Sequence, residues 1–188
     1  MRPPVIVTAV LLLAGCSSAP DAPSPEAAPS SAAAAPFRFE VPEKIEGLPR
    51  TASPKWLKEA ESSAAFLKGK VLNPTDTVAA AYLDTKKPLD GIEVSAAAGR
   101  VAAPQVTLRL MTQNAADLDD VAPVDLGVEG AVATCGISHA NDPSVDTVCH
   151  WAGPDTVGMV RIWGLEERKA DFPAVHAAIH PASRSNGG

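Results

Sequence analysis

The chain is poor in aromatic residues, in basic charge and in long apolar runs. Only 4% of its 188 residues are aromatic, with a single tyrosine, which argues against a stacking platform for sugars or bases. Acidic side chains outnumber basic ones 22 to 16, for a formal net charge of −6. That balance gives no electrostatic ground for binding nucleic acid or anionic headgroups. After residue 13 no stretch is long and apolar enough to span a bilayer as a helix. Cysteine is scarce, at three residues, and no C-x-x-C is among them. There is also no P-loop and no G-x-G-x-x-G. No serine or threonine stands three residues before a lysine, which removes the S-x-x-K pattern of penicillin-recognising enzymes. Nothing in the sequence calls for a cofactor.

What is present begins at the N-terminus. Arg2 supplies a positive charge, Val5 to Leu13 are apolar apart from Thr8, and Leu13-Ala14-Gly15-Cys16 follows. The apolar segment is too short to cross a membrane but suits the hydrophobic region of an export signal. The tetrapeptide resembles the lipobox of bacterial lipoproteins. The resemblance implies that residues 1–15 are a cleaved signal and that Cys16 is lipidated. The chain would then be held on the extracytoplasmic face of the cell membrane by its acyl chains, palmitate among them. Two or more such chains make a stable anchor.

From Ser17 to Pro36 the sequence is almost entirely Ala, Ser and Pro, with Asp21 and Glu26 as its charges. Such a segment has too little apolar surface to offset the entropy of ordering, and Pro20, Pro23, Pro25, Pro29 and Pro36 oppose a helix. Residues 16–36 thus read as a lipidated tether, 37–181 as a single domain and 182–188 as a frayed tail. Outside the cytoplasm Cys135 and Cys149 are expected to form a disulfide. It would close a loop of about 15 residues, worth about 3 kcal/mol on the chain-entropy model.

Within the domain, Phe37, Phe39 and Val41 alternate with charges as in a half-buried strand. Ser53-Pro54 reads as an N-cap and first helical residue, followed by Trp56, Leu57, Ala60, Ala64 and Leu67 at helical spacing and Gly69 as the stop. Thr77–Leu83 and Ile92–Ala98 are expected to pair as strands across a turn-rich connection. Pro104–Gln113 fits either a strand or a helix with Val106, Leu110 and Met111 on one face, and Pro104 favours the helix.

Ala131–Ile137, Val145–Trp151 and Thr156–Trp163 read as three antiparallel strands. Setting Cys135 opposite Cys149 puts Ile137 against Thr147 and Ala133 against Trp151. A turn at Gly153-Pro154 would pair Trp151 with Thr156 and Cys149 with Gly158. One face of this meander then carries the cysteines and no charge, so it should be buried. Phe172, Val175 and Ile179 mark a closing helix. The fold expected is α+β: an antiparallel sheet with helices packed mainly on one face, and one disulfide.

Few groups invite chemistry. Gly136-Ile137-Ser138-His139-Ala140 is superficially like a nucleophile elbow, but that motif needs a parallel strand feeding a helix, so a turn serine is the preferred reading. His176 and His180, at i and i+4, lack the third and fourth ligands of a metal site and read as solvent-facing. Asp117, Asp119 and Asp120 lack the spacing of a calcium loop. No metal site is expected.

The run Cys135…Cys149-His150-Trp151-Ala152-Gly153…Thr156-Val157-Gly158 resembles uncharacterised actinobacterial cell-surface lipoproteins, whose C-terminal region has a cysteine, a second cysteine closely followed by W-A-D, and a T-x-G strand. Gly153 stands here where that family has its aspartate. The resemblance implies a shared disulfide-pinned sheet and no known activity.

The function expected is a non-catalytic binding or interaction module. Its candidate surface is the second face of the meander, with Val148, His150, Met159, Arg161 and Trp163, where apolar residues mix with charge. A helix covering that face is the competing expectation. An envelope hydrolase assembled from Ser138, His139 and an aspartate, or a carrier of an apolar ligand, are the alternatives. Its partners would be the membrane, through the anchor, and an envelope protein or small ligand.

Overall fold

In the computed structural model the described residues are 36–86, 88–113, 117–139 and 143–180. Cys16, the signal segment, nearly all of the tether and the 182–188 tail lie outside them. No helix among the described residues is long and apolar enough to cross a membrane.

The elements follow in the order β1 (Lys44–Ile45), β2 (Leu48–Thr51), α1 (Pro54–Lys68), β3 (Leu72–Leu83), β4 (Gly91–Arg100), α2 (Pro104–Thr112), β5 (Asp119–Pro123), β6 (Val132–Ser138), β7 (Val145–Ala152), β8 (Thr156–Gly164) and, after a 3₁₀ turn at Lys169–Asp171, α3 (Phe172–Ile179). The strands form one antiparallel sheet in the order β1-β2-β3-β4-β8-β7-β6-β5. Two meanders thus meet where β8 returns beside β4, pairing from Gly91 with Trp163 to Ala98 with Thr156.

Helices α1 and α2 cover one face of this sheet and α3 the other. The fold is α+β, with the sheet dominant and two of its three helices on one side. Ala60 and Ala64 let α1 lie close to the sheet, where the Ser95 hydroxyl donates to the Ala60 carbonyl at 3.0 Å. On the opposite face Phe172, Val175 and Ile179 of α3 close over Val94, Ile92, Val160, Ile162, Trp151 and the disulfide. The Cys135–Cys149 bond is formed within this core, between directly opposed residues of β6 and β7. Because it is buried and closes a loop of about 15 residues, reduction should lower the melting temperature by several degrees, in line with about 3 kcal/mol. Melting with and without reductant, with thiols counted, checks this; two free thiols in the protein purified without reductant would contradict it.

Four expectations need correction. Residues 37–41 are not a strand of the sheet: the Phe39 amide donates to the Asp76 carboxylate at 2.9 Å and the Glu40 amide to the Ile179 carbonyl at 2.9 Å. This leaves Phe37 and Phe39 packed on His180. The β7–β8 turn sits at Pro154-Asp155, one residue later than expected, so Trp151 opposes Gly158 and Cys149 opposes Val160. A shift of two preserves which face each side chain takes. It also lays the Trp151 indole over a residue without a Cβ, and any Cβ at 158 would overlap the ring. In α2 the inward side chains are Leu108 and Met111, while Val106 and Leu110 are exposed.

The fourth correction concerns His176 and His180, which are not solvent-facing. Their rings stack with centroids 3.8 Å apart, and both contact Trp151 edge-on. The His180 Nδ1–H donates to the His176 carbonyl at 2.8 Å, which leaves Nε2 to accept from the Thr156 hydroxyl at 3.3 Å. Thr156 in turn accepts from the Trp151 indole N–H at 3.3 Å. Burial pushes the His176 pKa down to about 3 and lowers that of His180. The pair is therefore a neutral part of the core, fastening the C-terminal end of α3 to β7 and β8.

Candidate functional site

Strand periodicity puts the five candidate residues on one face, the one that carries α1 and α2. The register sets them in rows across three strands: Gly91, Trp163 and Asp146; then Glu93, Arg161 and Val148; then Ser95, Met159 and His150. The face is not open. Trp163 is 6% exposed and His150 7%, whereas Val148, Met159 and Arg161 are half-buried. Among the described residues two hollows open on this face, one towards each end of α1.

The first lies beside the N-terminal turns of α1. It is a cleft of about 260 Å³ lined by Trp56, Pro88, Ser144, Asp146, Arg161 and Trp163. Trp56 comes from the helix because Ser53-Pro54 starts α1 at that point, and its ring stacks on Trp163 at 5.5 Å with 12° between planes. Trp163 can lie this flat because its cross-strand partner is Gly91, where a Cβ would overlap the indole. The Trp163 N–H donates to the Pro88 carbonyl at 3.4 Å.

Arg161 forms the charged part of the cleft. Its guanidinium stands 3.1 Å from Glu93, 3.3 Å from Glu59 and 3.8 Å from Asp146, and 5.3 Å from the Trp163 ring. The Glu93 side chain is only 3% exposed. Burial outweighs the pull of Arg161 and raises its pKa to about 7. Three carboxylates, from Glu93, Glu59 and Asp146, thus gather around one guanidinium. The ammonium of Lys55, 4.7 Å from the Trp56 ring, is a cation held against the same aromatic wall.

The second hollow, between α1, α2 and the sheet, measures about 50 Å³ and is lined by Ser63, Phe66, Leu67, Met111, His150 and Met159. The His150 pKa is lowered to about 4 by burial, and its Nδ1 has no hydrogen-bond partner. A larger hollow of about 450 Å³ sits beside the β1–β2 turn, lined by Glu46, Leu48, Asp90, Leu165, Glu166, Glu167 and Arg168. It is shallow, acidic and without an aromatic wall.

The remaining candidates do not converge. Ser138 ends β6 and His139, exposed, follows it in an antiparallel hairpin, so the strand-to-helix turn of a nucleophile elbow is not there. Asp119 and Asp120 lie exposed on edge strand β5, and Asp117 is exposed just before it. Among the described residues no three His, Cys, Asp or Glu side chains are grouped to hold a metal ion.

Trp56, which lines the cleft, and Glu93 and Glu59, which pair with Arg161, are residues that sequence reasoning missed. A charge inside an otherwise apolar strand, Ile92-Glu93-Val94, was the available signal for Glu93. No protein-family model matches the chain, and no match was found among curated proteins or solved structures.

Proposed function

We propose that this chain is a lipid-anchored, extracytoplasmic binding module, akin to the actinobacterial lipoproteins it resembles. Its ligand presents a small cationic group to the Trp56–Trp163 cleft. The single observation that carries this reading is a cluster of three carboxylates beside stacked indoles, at a hollow of about 260 Å³. That volume lies below the usual range for a whole drug-sized ligand, which starts at about 300 Å³. It suits the head of a side chain or of a small amine. Aromatic faces and carboxylates together favour an ammonium or guanidinium.

Arg161 is the floor that orders the carboxylates, because all three gather on it. A hydrolase finds less support, since Ser138 and His139 stand on a hairpin end. An apolar carrier finds less as well, since the space between α1, α2 and the sheet is about 50 Å³.

Two experiments test the proposal. Replacing Cys16 with alanine should release the protein from membranes or leave it unprocessed, read by fractionation and mass; a matured, membrane-bound variant would end the lipoprotein reading. For the cleft, arginine amide should quench or shift tryptophan fluorescence saturably, and Trp56→Ala should weaken that binding at least tenfold. N-acetylcitrulline amide, of similar shape but without a cation, should bind far more weakly. Equal response to both amides, or none to either, would overturn the cleft assignment.

A further inference from the structure

The second hollow on the same face has its own chemistry. The chain has three methionines; Met1 lies in the export signal, and the other two both line this small cavity, together with His150. Met159 and His150 are directly opposed on β8 and β7, a relation that brings Cβ atoms within about 5 Å. Met111 reaches the same space from α2, because it is one of the two inward residues of that helix.

The nitrogen is the unusual member. His150 Nδ1 is buried with no hydrogen-bond partner, and a buried polar atom left so is costly. Packing alone does not account for it, since the other walls are Ser63, Phe66 and Leu67. Two thioethers and a neutral imidazole form a soft donor set without formal charge. Such a set disfavours Mg²⁺, Ca²⁺ and Mn²⁺, which take carboxylate and carbonyl oxygens, and suits cuprous copper.

We propose that His150, Met111 and Met159 form a binding site for a soft monovalent metal ion, Cu(I) or its redox-inert analogue Ag(I). The ion takes one lone pair from the His150 imidazole and one from each sulfur, in a three-coordinate NS₂ set. About 50 Å³ has room for an ion with a water or two and falls far short of an organic ligand. Half-buried Met159 and exposed Phe66 mark the way in from solvent. The Phe66 ring, which carries the Lys70 ammonium at 4.4 Å, lines the same hollow. The site does not depend on the Arg161 cleft, and either can fail without the other.

The test is a titration of the oxidised full chain, carrying Cys16→Ala so that no free thiol competes, labelled at the methionine methyls. Silver ion should saturate at one equivalent and shift the Met111 and Met159 methyl resonances together, leaving that of Met1 in place. Met111→Leu and Met159→Leu conserve volume and should keep the melting temperature within a few degrees. Each should lower Ag(I) affinity, and Cu(I) affinity in competition with bathocuproine disulfonate, at least tenfold. Methyls that do not move at one equivalent, or leucine variants that bind as tightly as the parent, would overturn the site. So would a preference for Zn²⁺ over Ag(I). Should a variant fail to fold, the methyl titration of the parent still decides.

Discussion

Replacing Trp163 with alanine should cost about 3–5 kcal/mol of folding stability, the range for an aromatic truncated in a packed interior. Trp163 is 6% exposed and is held by four neighbours: Trp56 stacks on one face, Gly91 lies under the indole, Arg161 approaches it and Pro88 accepts its N–H. None of these neighbours can follow the truncated side chain inward. The backbone of Gly91 is fixed in the β3–β4 and β4–β8 ladders, and Trp56 is fixed to the first turn of α1. A cavity therefore remains, and its cost adds to the lost transfer energy. For a domain of this size the melting temperature should fall by roughly ten degrees or more, measured by thermal or urea unfolding. A loss below about 1 kcal/mol, at the level of a surface substitution, would show that the indole is not clamped. The meander face would then be open for recognition, as the first of the two sequence expectations had it.

Strand alternation alone put Val148, His150, Met159, Arg161 and Trp163 on one face, because period two follows from the pleat. Whether that face meets solvent depends on α1, a helix nearly a hundred residues earlier in the chain, and no local pattern encodes that docking. The register of β6 against β7 was legible because the cysteines pin it. The β7–β8 register was not, since the sequence offers both Gly153-Pro154 and Pro154-Asp155 as turn residues.

The β1–β2 hairpin was missed because four residues with Pro49 among them hardly read as a strand. Its signal was Glu46-Gly47, both with positive φ (49° and 77°), the geometry of a tight two-residue hairpin turn. Strand β5, which begins with Asp119 and Asp120, has no counterpart among the expected strands. It is wholly exposed and pairs through its backbone with β6 alone, so its side chains carry no burial pattern. The alternation at Phe37–Val41 reflects real burial of the two phenylalanines, but against His180 and Asp76 rather than in a ladder. In the cleft, Arg161 was legible as a charge on a mixed face. Its three carboxylates were not, since they come from α1, β4 and β7.

The sharpest consequence of that cluster is a stability loss that depends on pH. Arg161→Met should cost about 3–5 kcal/mol near pH 8, as when one partner of a buried ion pair is removed. It keeps much of the aliphatic stem over the sheet, so the loss is mainly electrostatic. Glu93 has a pKa of about 7 in the folded chain against an ordinary 4.5, so between those values the folded state holds a proton that the unfolded state has released. Stability from this group therefore falls as pH rises through that window. Without Arg161 the folded pKa rises further, since the guanidinium was lowering it, and the window extends upward.

At pH 5 Glu93 is protonated in both proteins, and the substitution should cost much less there than at pH 8. The buried histidines slope the other way, losing stability as pH falls below 6.5, but they are common to both proteins and cancel in the difference. Adding Glu93→Gln to Arg161→Met should restore part of the loss at pH 8 and little at pH 5, because it removes the stranded charge. Urea unfolding of the parent, both single variants and the double variant at the two pH values measures this. A loss of equal size at both pH values would show that Arg161 acts through packing, with Glu93 neutral or solvated throughout.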